Sequence, residues 1–161
     1  MNLDAPSLAK NLIKEMRGSI DASTILIGIH AGGILIRDFL LQNLQCDSVK
    51  ASVDVSFHRD DFEIRGLAAS KGKTSIPIDI SGRDVVLVDD VIQTGRTARA
   101  AVNELFDFGR PRSIQLAVLV DRSGRELPLE PRFAGGKIVI EDGAQISVLL
   151  NESNQIAIRV A

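Results

Sequence analysis

Tryptophan and tyrosine are absent from this chain, phenylalanine occurs six times, and there is a single cysteine. With so few aromatics, the core of these 161 residues has to be aliphatic, built from Ile, Leu, Val and Ala. The lone Cys46 excludes an intramolecular disulfide, so a cytoplasmic location is the default expectation. Two histidines and one cysteine argue against a zinc site. A basic excess is missing too: 19 Lys and Arg face 21 Asp and Glu, a net charge of −2. A strongly basic domain that grips nucleic acid over its whole surface is thereby excluded, though a local basic face is not. No apolar run approaches the roughly 18 residues of a membrane span. The start, MNLDAPSLAKNLIKEM, lacks the basic, apolar and small-residue order of a signal peptide.

What remains is ordinary for a globular domain: 45% hydrophobic and 25% charged residues, enough to bury a core without cross-links. One domain over 1–161 is expected. Leu8, Leu12, Ile13 and Met16 recur at helical spacing over residues 5–17, and Gly18 offers a stop. Residues 24–29 read as a buried strand, ending in His30-Ala31-Gly32-Gly33 before a helix from Ile34 to Leu44. Residues 49–57 alternate and predict a strand. The polar stretch 58–80 reads as a flap, with strand-like pieces near Asp61–Ile64 and Ile76–Ile80. Residues 85–88 and 114–120 are apolar runs expected as buried strands, with a helix from Thr97 to Phe108 between them. Short strands at 138–140, 145–150 and 155–160 would close a hood over 121–161. Apolar strands alternating with helices predict an α/β fold with a mainly parallel sheet.

The segment VVLVDDVIQTGRTARAAVNEL, residues 85–105, carries the chemistry. A buried strand delivers Asp89 and Asp90 to the carboxyl edge of a parallel sheet, where open α/β sheets bind ligands. A Thr94-Gly95 turn follows, then a helix whose first N–H groups suit a phosphate. Gly95 permits close backbone approach, and Thr94 and Thr97 add hydroxyl donors. The two carboxylates repel phosphate, but they accept hydrogen bonds from sugar hydroxyls or hold a divalent cation. Together these features predict a sugar phosphate ligand. Read blandly, the acids only end a strand and the Thr-Gly pair only turns the chain. Gly72-Lys73-Thr74 ends like a nucleotide phosphate loop, but Gly66 stands one residue too far away.

The segment resembles the phosphoribosyl pyrophosphate (PRPP) motif of type I phosphoribosyltransferases. The chain as a whole resembles the pyrimidine operon regulator family, PyrR, over about residues 5–140. The likeness includes Ser56-Phe57-His58-Arg59-Asp60-Asp61-Phe62, Ile76-Pro77-Ile78-Asp79-Ile80, Asp107 to Pro111, Ser113 to Arg122, and Arg125-Glu126-Leu127-Pro128. It implies a uracil phosphoribosyltransferase that forms UMP and pyrophosphate from uracil and PRPP, with Mg2+ arriving on PRPP. It implies Asp89 and Asp90 on the ribose hydroxyls and Val91, Ile92, Gln93, Thr94, Gly95, Arg96 and Thr97 around the 5-phosphate. By the same resemblance, His30, Ala31, Gly32 and Gly33 form the pyrophosphate loop, and Arg59 is the catalytic cation. Val120, Asp121 and Arg122 lie at the uracil edge.

Members of this family also regulate pyrimidine operons, sensing UMP or UTP and binding leader messenger RNA, and they form homodimers or larger homo-oligomers. The basic candidates for RNA here are Lys10, Lys14, Arg17, Arg125, Arg132 and Lys137. The chain departs from the family in Ala31-Gly32-Gly33, where Thr-Arg-Gly is usual, and in lacking the histidine before Arg125. It also replaces the block at Gly135 to Glu141. A nucleotide-sensing RNA-binding protein with little enzyme activity, or a transferase for another base, are the alternatives.

Overall fold

The computed structural model describes residues 3–56, 73–141 and 143–161. Helix α1 is Ala5–Met16, strand β1 Ile25–Ile29, helix α2 Gly32–Asn43 and strand β2 Ala51–Val53. Strand β3 is Asp84–Ile92, helix α3 Arg96–Leu105, β4 Ser113–Arg122, β5 Phe133–Ile138, β6 Ile146–Leu150 and β7 Ile156–Val160. Among the described residues, five strands form one sheet in the order β2-β1-β3-β4-β5, every neighbouring pair parallel. β6 and β7 form a separate antiparallel hairpin.

The apolar runs are continuous because both sheet faces are covered. Ile25, Ile27 and Ile29 of β1, Val85 and Leu87 of β3, and Leu116 and Val118 of β4 pack with Ala98, Ala101 and Leu105 of α3. The alternate residues Leu26, Val86, Val88, Ala117 and Leu119 pack with Ala5, Ala9, Leu12 and Met16 of α1 and Ile36 and Leu40 of α2. The strand period of two thus sorts each run between two aliphatic layers. Arg37, 5% exposed, ties α2 to the sheet by donating from Nη1 to the Ala51 carbonyl at 2.6 Å. Among the described residues no helix is long and apolar enough to cross a membrane.

The predicted mainly parallel sheet is what forms, but several boundaries differ. β3 does not stop at residue 88. Its pairing with β4 continues through Asp89 opposite Val118 and Ile92 opposite Asp121, so both carboxylates lie on the strand rather than in the turn. β2 spans three residues of the predicted 49–57. Ile76–Ile80 is not a strand; Ser75 makes a single antiparallel bridge to Ser52, and Ile80 is fully buried. The C-terminal end of the predicted flap therefore belongs to the core, while residues 57–72, including Asp61–Ile64, lie outside the described residues. α3 ends at Leu105, and residues 106–108 continue as tighter turns bonded to Asn103, Glu104 and Leu105.

The largest correction is β5. Phe133–Ile138 pairs with β4 as the fifth strand of the main sheet, so the hood is reduced to the β6–β7 hairpin. Gly135 and Gly136 resemble turn residues in sequence, yet they are glycine because α1 lies directly on them. A Cβ at Gly135 would sit 2.5 Å from the Leu8 carbonyl oxygen, and one at Gly136 2.5 Å from Leu8 Cδ2.

Candidate active site

In a sheet of order 2-1-3-4-5, the connections leave β1 and β3 toward opposite faces. A crevice opens between their carboxyl ends. The candidate site lies there. β1 delivers residues 30–33 to one lip, and β3 delivers Asp89 and Asp90 to the other, with Gly28 and Val88 paired just below.

Two glycines bring the lips together. A Cβ at Gly33 would lie 2.2 Å from the Val88 carbonyl oxygen, and a Cβ at Gly32 would lie 2.1 Å from Asp90 Oδ2. Only glycine lets the first turn of α2 rest against the end of β3 in this way. The peptide bond His30–Ala31 is cis. Asp89 is buried and its Oδ1 accepts the Asp90 N–H at 2.9 Å; Asp90 Oδ1 accepts the Val91 N–H at 2.8 Å. Asp90 is only half-buried and faces the crevice.

Beyond β3 the chain turns at Gly95, whose φ of 92° places it in the left-handed region that favours glycine. Thr94 Oγ1 accepts the Arg96 N–H at 3.1 Å, and the Gly95 carbonyl accepts the Arg99 N–H, which starts α3. The turn and the helix start together leave a backbone concavity of the kind that cradles phosphate.

These parts line a cleft of about 510 Å³. Its walls run from Ala31 and Gly32 along Asp89 to Gly95, with Thr97 and Ala98, and on the far side the β6 edge from Ala144 to Val148. Arg122 connects the two walls. It is 6% exposed, lines the cleft, and donates from Nη1 to the Ala144 carbonyl at 2.6 Å, while its Nε has no hydrogen-bond partner among the described residues.

The remaining predicted residues are placed differently. His30 Nε2 lies 3.3 Å from Ser52 Oγ and does not line the cleft. Val120 is fully buried in the core. Asp121 is buried, held by Arg125 at 2.7 Å with Lys137 Nζ at 3.9 Å. Arg59 lies outside the described residues. Among the described residues no three His, Cys, Asp or Glu side chains gather where they could hold a metal ion.

Of the expected RNA cations, Lys10, Lys14 and Arg17 surround a groove of about 400 Å³ on α1. Arg132 sits over the Phe133 ring at 5.8 Å. The guanidinium of Arg125 donates to the Gln93 carbonyl and to Asp121. Sequence reasoning missed the wall from Ala144 to Val148, which reaches the site only through the packing of the hairpin.

The family model described as the phosphoribosyl transferase domain matches residues 3–148. The chain belongs to that family. Within it, the bifunctional protein PyrR of Pseudomonas paraeruginosa is 48% identical over 109 residues, 68% of this chain and 64% of that protein. The chain thus aligns with a little under two thirds of that relative's length. The bifunctional protein PyrR of Ralstonia nicotianae is 39% identical over 157 residues, covering 95% of this chain and 88% of the relative, which places the chain among the PyrR proteins. Among solved structures, a hypoxanthine-guanine phosphoribosyltransferase from Bacillus anthracis superposes with a TM-score of 0.68 at 19% identity, over 89% of this chain and 85% of that one. A hypoxanthine phosphoribosyltransferase from Staphylococcus aureus gives 0.62 at 19% identity, over 85% and 76%. At these identities the two structures establish the shared phosphoribosyltransferase fold.

Proposed function

We propose that this chain is a uracil phosphoribosyltransferase and a UMP- or UTP-responsive regulator of pyrimidine operon expression; its PyrR relatives are named as bifunctional. The observation that carries the enzymatic half is the crevice at the ends of β1 and β3. There, two adjacent carboxylates stand between a glycine-opened helix start and a left-handed Gly95 turn.

In this reading the ribose 5-phosphate of PRPP settles on residues 93–97. It takes N–H donors from the turn and hydroxyl donors from Thr94 and Thr97. Asp89 and Asp90 accept the ribose hydroxyls. Magnesium binds proteins through one or two carboxylates plus substrate phosphates, and this pair of acids fits an ion carried in on PRPP. The ion supplies charge neutralisation on the departing pyrophosphate. N1 of uracil forms a bond to C1 of ribose as the C1–O bond to pyrophosphate breaks, and the N1 proton is lost. Catalysis of this kind is mostly positioning and charge stabilisation. The guanidinium of Arg122, which lines the cleft, is suited to a uracil carbonyl. Arg59 is assigned to the pyrophosphate by resemblance, and Ala31 and Gly32 line the cleft on that side.

The test is formation of UMP from uracil and PRPP with magnesium, with hypoxanthine and adenine as competitors. Preference for a purine would replace uracil with another base. The regulatory half rests on the groove among Lys10, Lys14 and Arg17. A homo-oligomer is part of the proposal, and sedimentation tests it. A cytoplasmic location accompanies the reading.

A further inference from the structure

The shape of the phosphate loop is set in part from outside it. Among the described residues, Arg125, Glu126, Leu127 and Leu129 hold its outer side. The N–H groups of Glu126 and Leu127 both donate to the Thr94 carbonyl at 3.0 Å. Arg96 forks onto Glu126 Oε2, from Nε at 3.0 Å and Nη2 at 2.8 Å. Arg125 donates from Nη1 to the Gln93 carbonyl at 2.6 Å and from Nη2 to Asp121 Oδ1 at 2.7 Å. Leu127 and Leu129 close over Gly95, 3.4 and 3.6 Å from where its Cβ would be.

These contacts are unequal. The Arg96–Glu126 pair is about half exposed on both sides (51% and 53%), and exposed pairs of this kind contribute little. The Arg125 contact to the Gln93 carbonyl lies at the surface, while its contact to Asp121 is sheltered, the two side chains being 18% and 7% exposed. There a charge-assisted bond is stronger and its loss leaves buried groups unmatched. Asp121 also pairs with Ile92 across β3 and β4. One guanidinium therefore bridges the residue that opens the phosphate turn and a residue near the carboxyl end of β4.

We propose that Arg125 is a positioning residue that pre-forms the phosphate loop and couples it to Asp121. The proposal rests on reading residues 93–97 as the ribose 5-phosphate loop. Two acceptors in different directions require a planar fork, which lysine lacks. With the fork absent, the Gln93–Gly95 turn would have to be ordered by the ligand itself, and binding would weaken by that cost.

Calorimetry on the full chain with ribose 5-phosphate tests this, alongside steady-state kinetics with uracil and PRPP. Arg125→Met, which keeps the apolar stem, should bind ribose 5-phosphate about tenfold more weakly, as expected for the loss of a charge-assisted bridge whose Asp121 end is sheltered. Its KM for PRPP should rise by a similar factor. A merely structural role would instead lower the amount of active protein and leave affinity and KM alone, which would overturn the proposal. Should Arg125→Met fail to fold, Arg125→Lys decides. A several-fold loss of ribose 5-phosphate affinity supports the coupling, and parental affinity overturns it. If Arg125→Met keeps ribose 5-phosphate affinity and loses affinity for pyrimidine leader RNA, Arg125 belongs to the RNA surface instead. If the parent binds no ribose 5-phosphate, the phosphate-loop reading fails and this proposal with it. If the parent binds and the variants match it, only this proposal fails.

Discussion

Asp90 and Gly32 behave as one unit. The Asp90 carboxylate occupies the space that a side chain at position 32 would enter, with only 2.1 Å between Oδ2 and a Cβ there. An arginine at 32, as the family resemblance leads one to expect, would force that carboxylate to turn away. Three substitutions separate the roles. Asp90→Asn keeps an oxygen for the Val91 N–H but removes the charge. On the proposed ribose-binding role, PRPP affinity should fall about tenfold or more while the melting temperature holds, because a charged acceptor is lost. An unchanged dissociation constant would remove Asp90 from the ribose. Gly32→Ala should fold, since the opposing group is a side chain that can rotate, yet show a raised KM for PRPP. Gly33→Ala meets backbone instead, 2.2 Å from the Val88 carbonyl. It should cost about 1–3 kcal/mol of stability, read from denaturant unfolding. If the two alanine variants behave alike, the distinction between side-chain and backbone neighbours is wrong.

Among the elements, β5 shows how packing overrides local pattern. Its sequence, FAGGKI, has little strand propensity, and the preceding stretch is rich in turn residues. It is a strand because β4 offers a parallel edge and because α1 needs a surface without side chains to lie on. Gly135→Ala would place a methyl group 2.5 Å from the Leu8 carbonyl and 2.6 Å from that of Leu119. A loss of about 1–3 kcal/mol is expected. Gly136→Ala faces only the end of the Leu8 side chain and should cost less. Equal losses would show that α1 shifts as a body rather than being held in register. The long, continuous runs of β1, β3 and β4 were legible in sequence for the opposite reason, since burial on both faces demands apolar residues at every position.

For the whole molecule, acid stability provides one test. Asp84 begins β3, and its hydrogen bond from Arg112, then that from Ser113, hold its carboxyl down to about 2 from the usual 3.8. A depressed carboxyl pKa means the unfolded chain takes up the proton first. The stabilisation is therefore complete above pH 3.8 and lost as pH falls through about 2. Asp84→Asn should flatten the unfolding curve across that window, and an unaltered acid limb would remove Asp84 as its cause. RNA binding provides the other test. If Lys10, Lys14 and Arg17 each neutralise one phosphate of a single-stranded leader, log affinity should fall against log salt with a slope of about −2. Absence of binding at low salt would leave the enzyme alone.

By itself the sequence determined the α/β alternation, the two aliphatic layers, the carboxylate pair and the glycine turn behind it. Each depends on neighbours in the chain, through apolar periodicity, strand-end acids or the left-handed turn at Gly95. The sheet order, the rest of the cleft wall and the internal engagement of Arg125 were decided only by tertiary structure. The β6 wall, β5 and the Asp121–Arg125–Gln93 bridge join residues far apart in sequence or turned by a loop. No local pattern encodes which edge a strand will find or which carbonyl a guanidinium will reach.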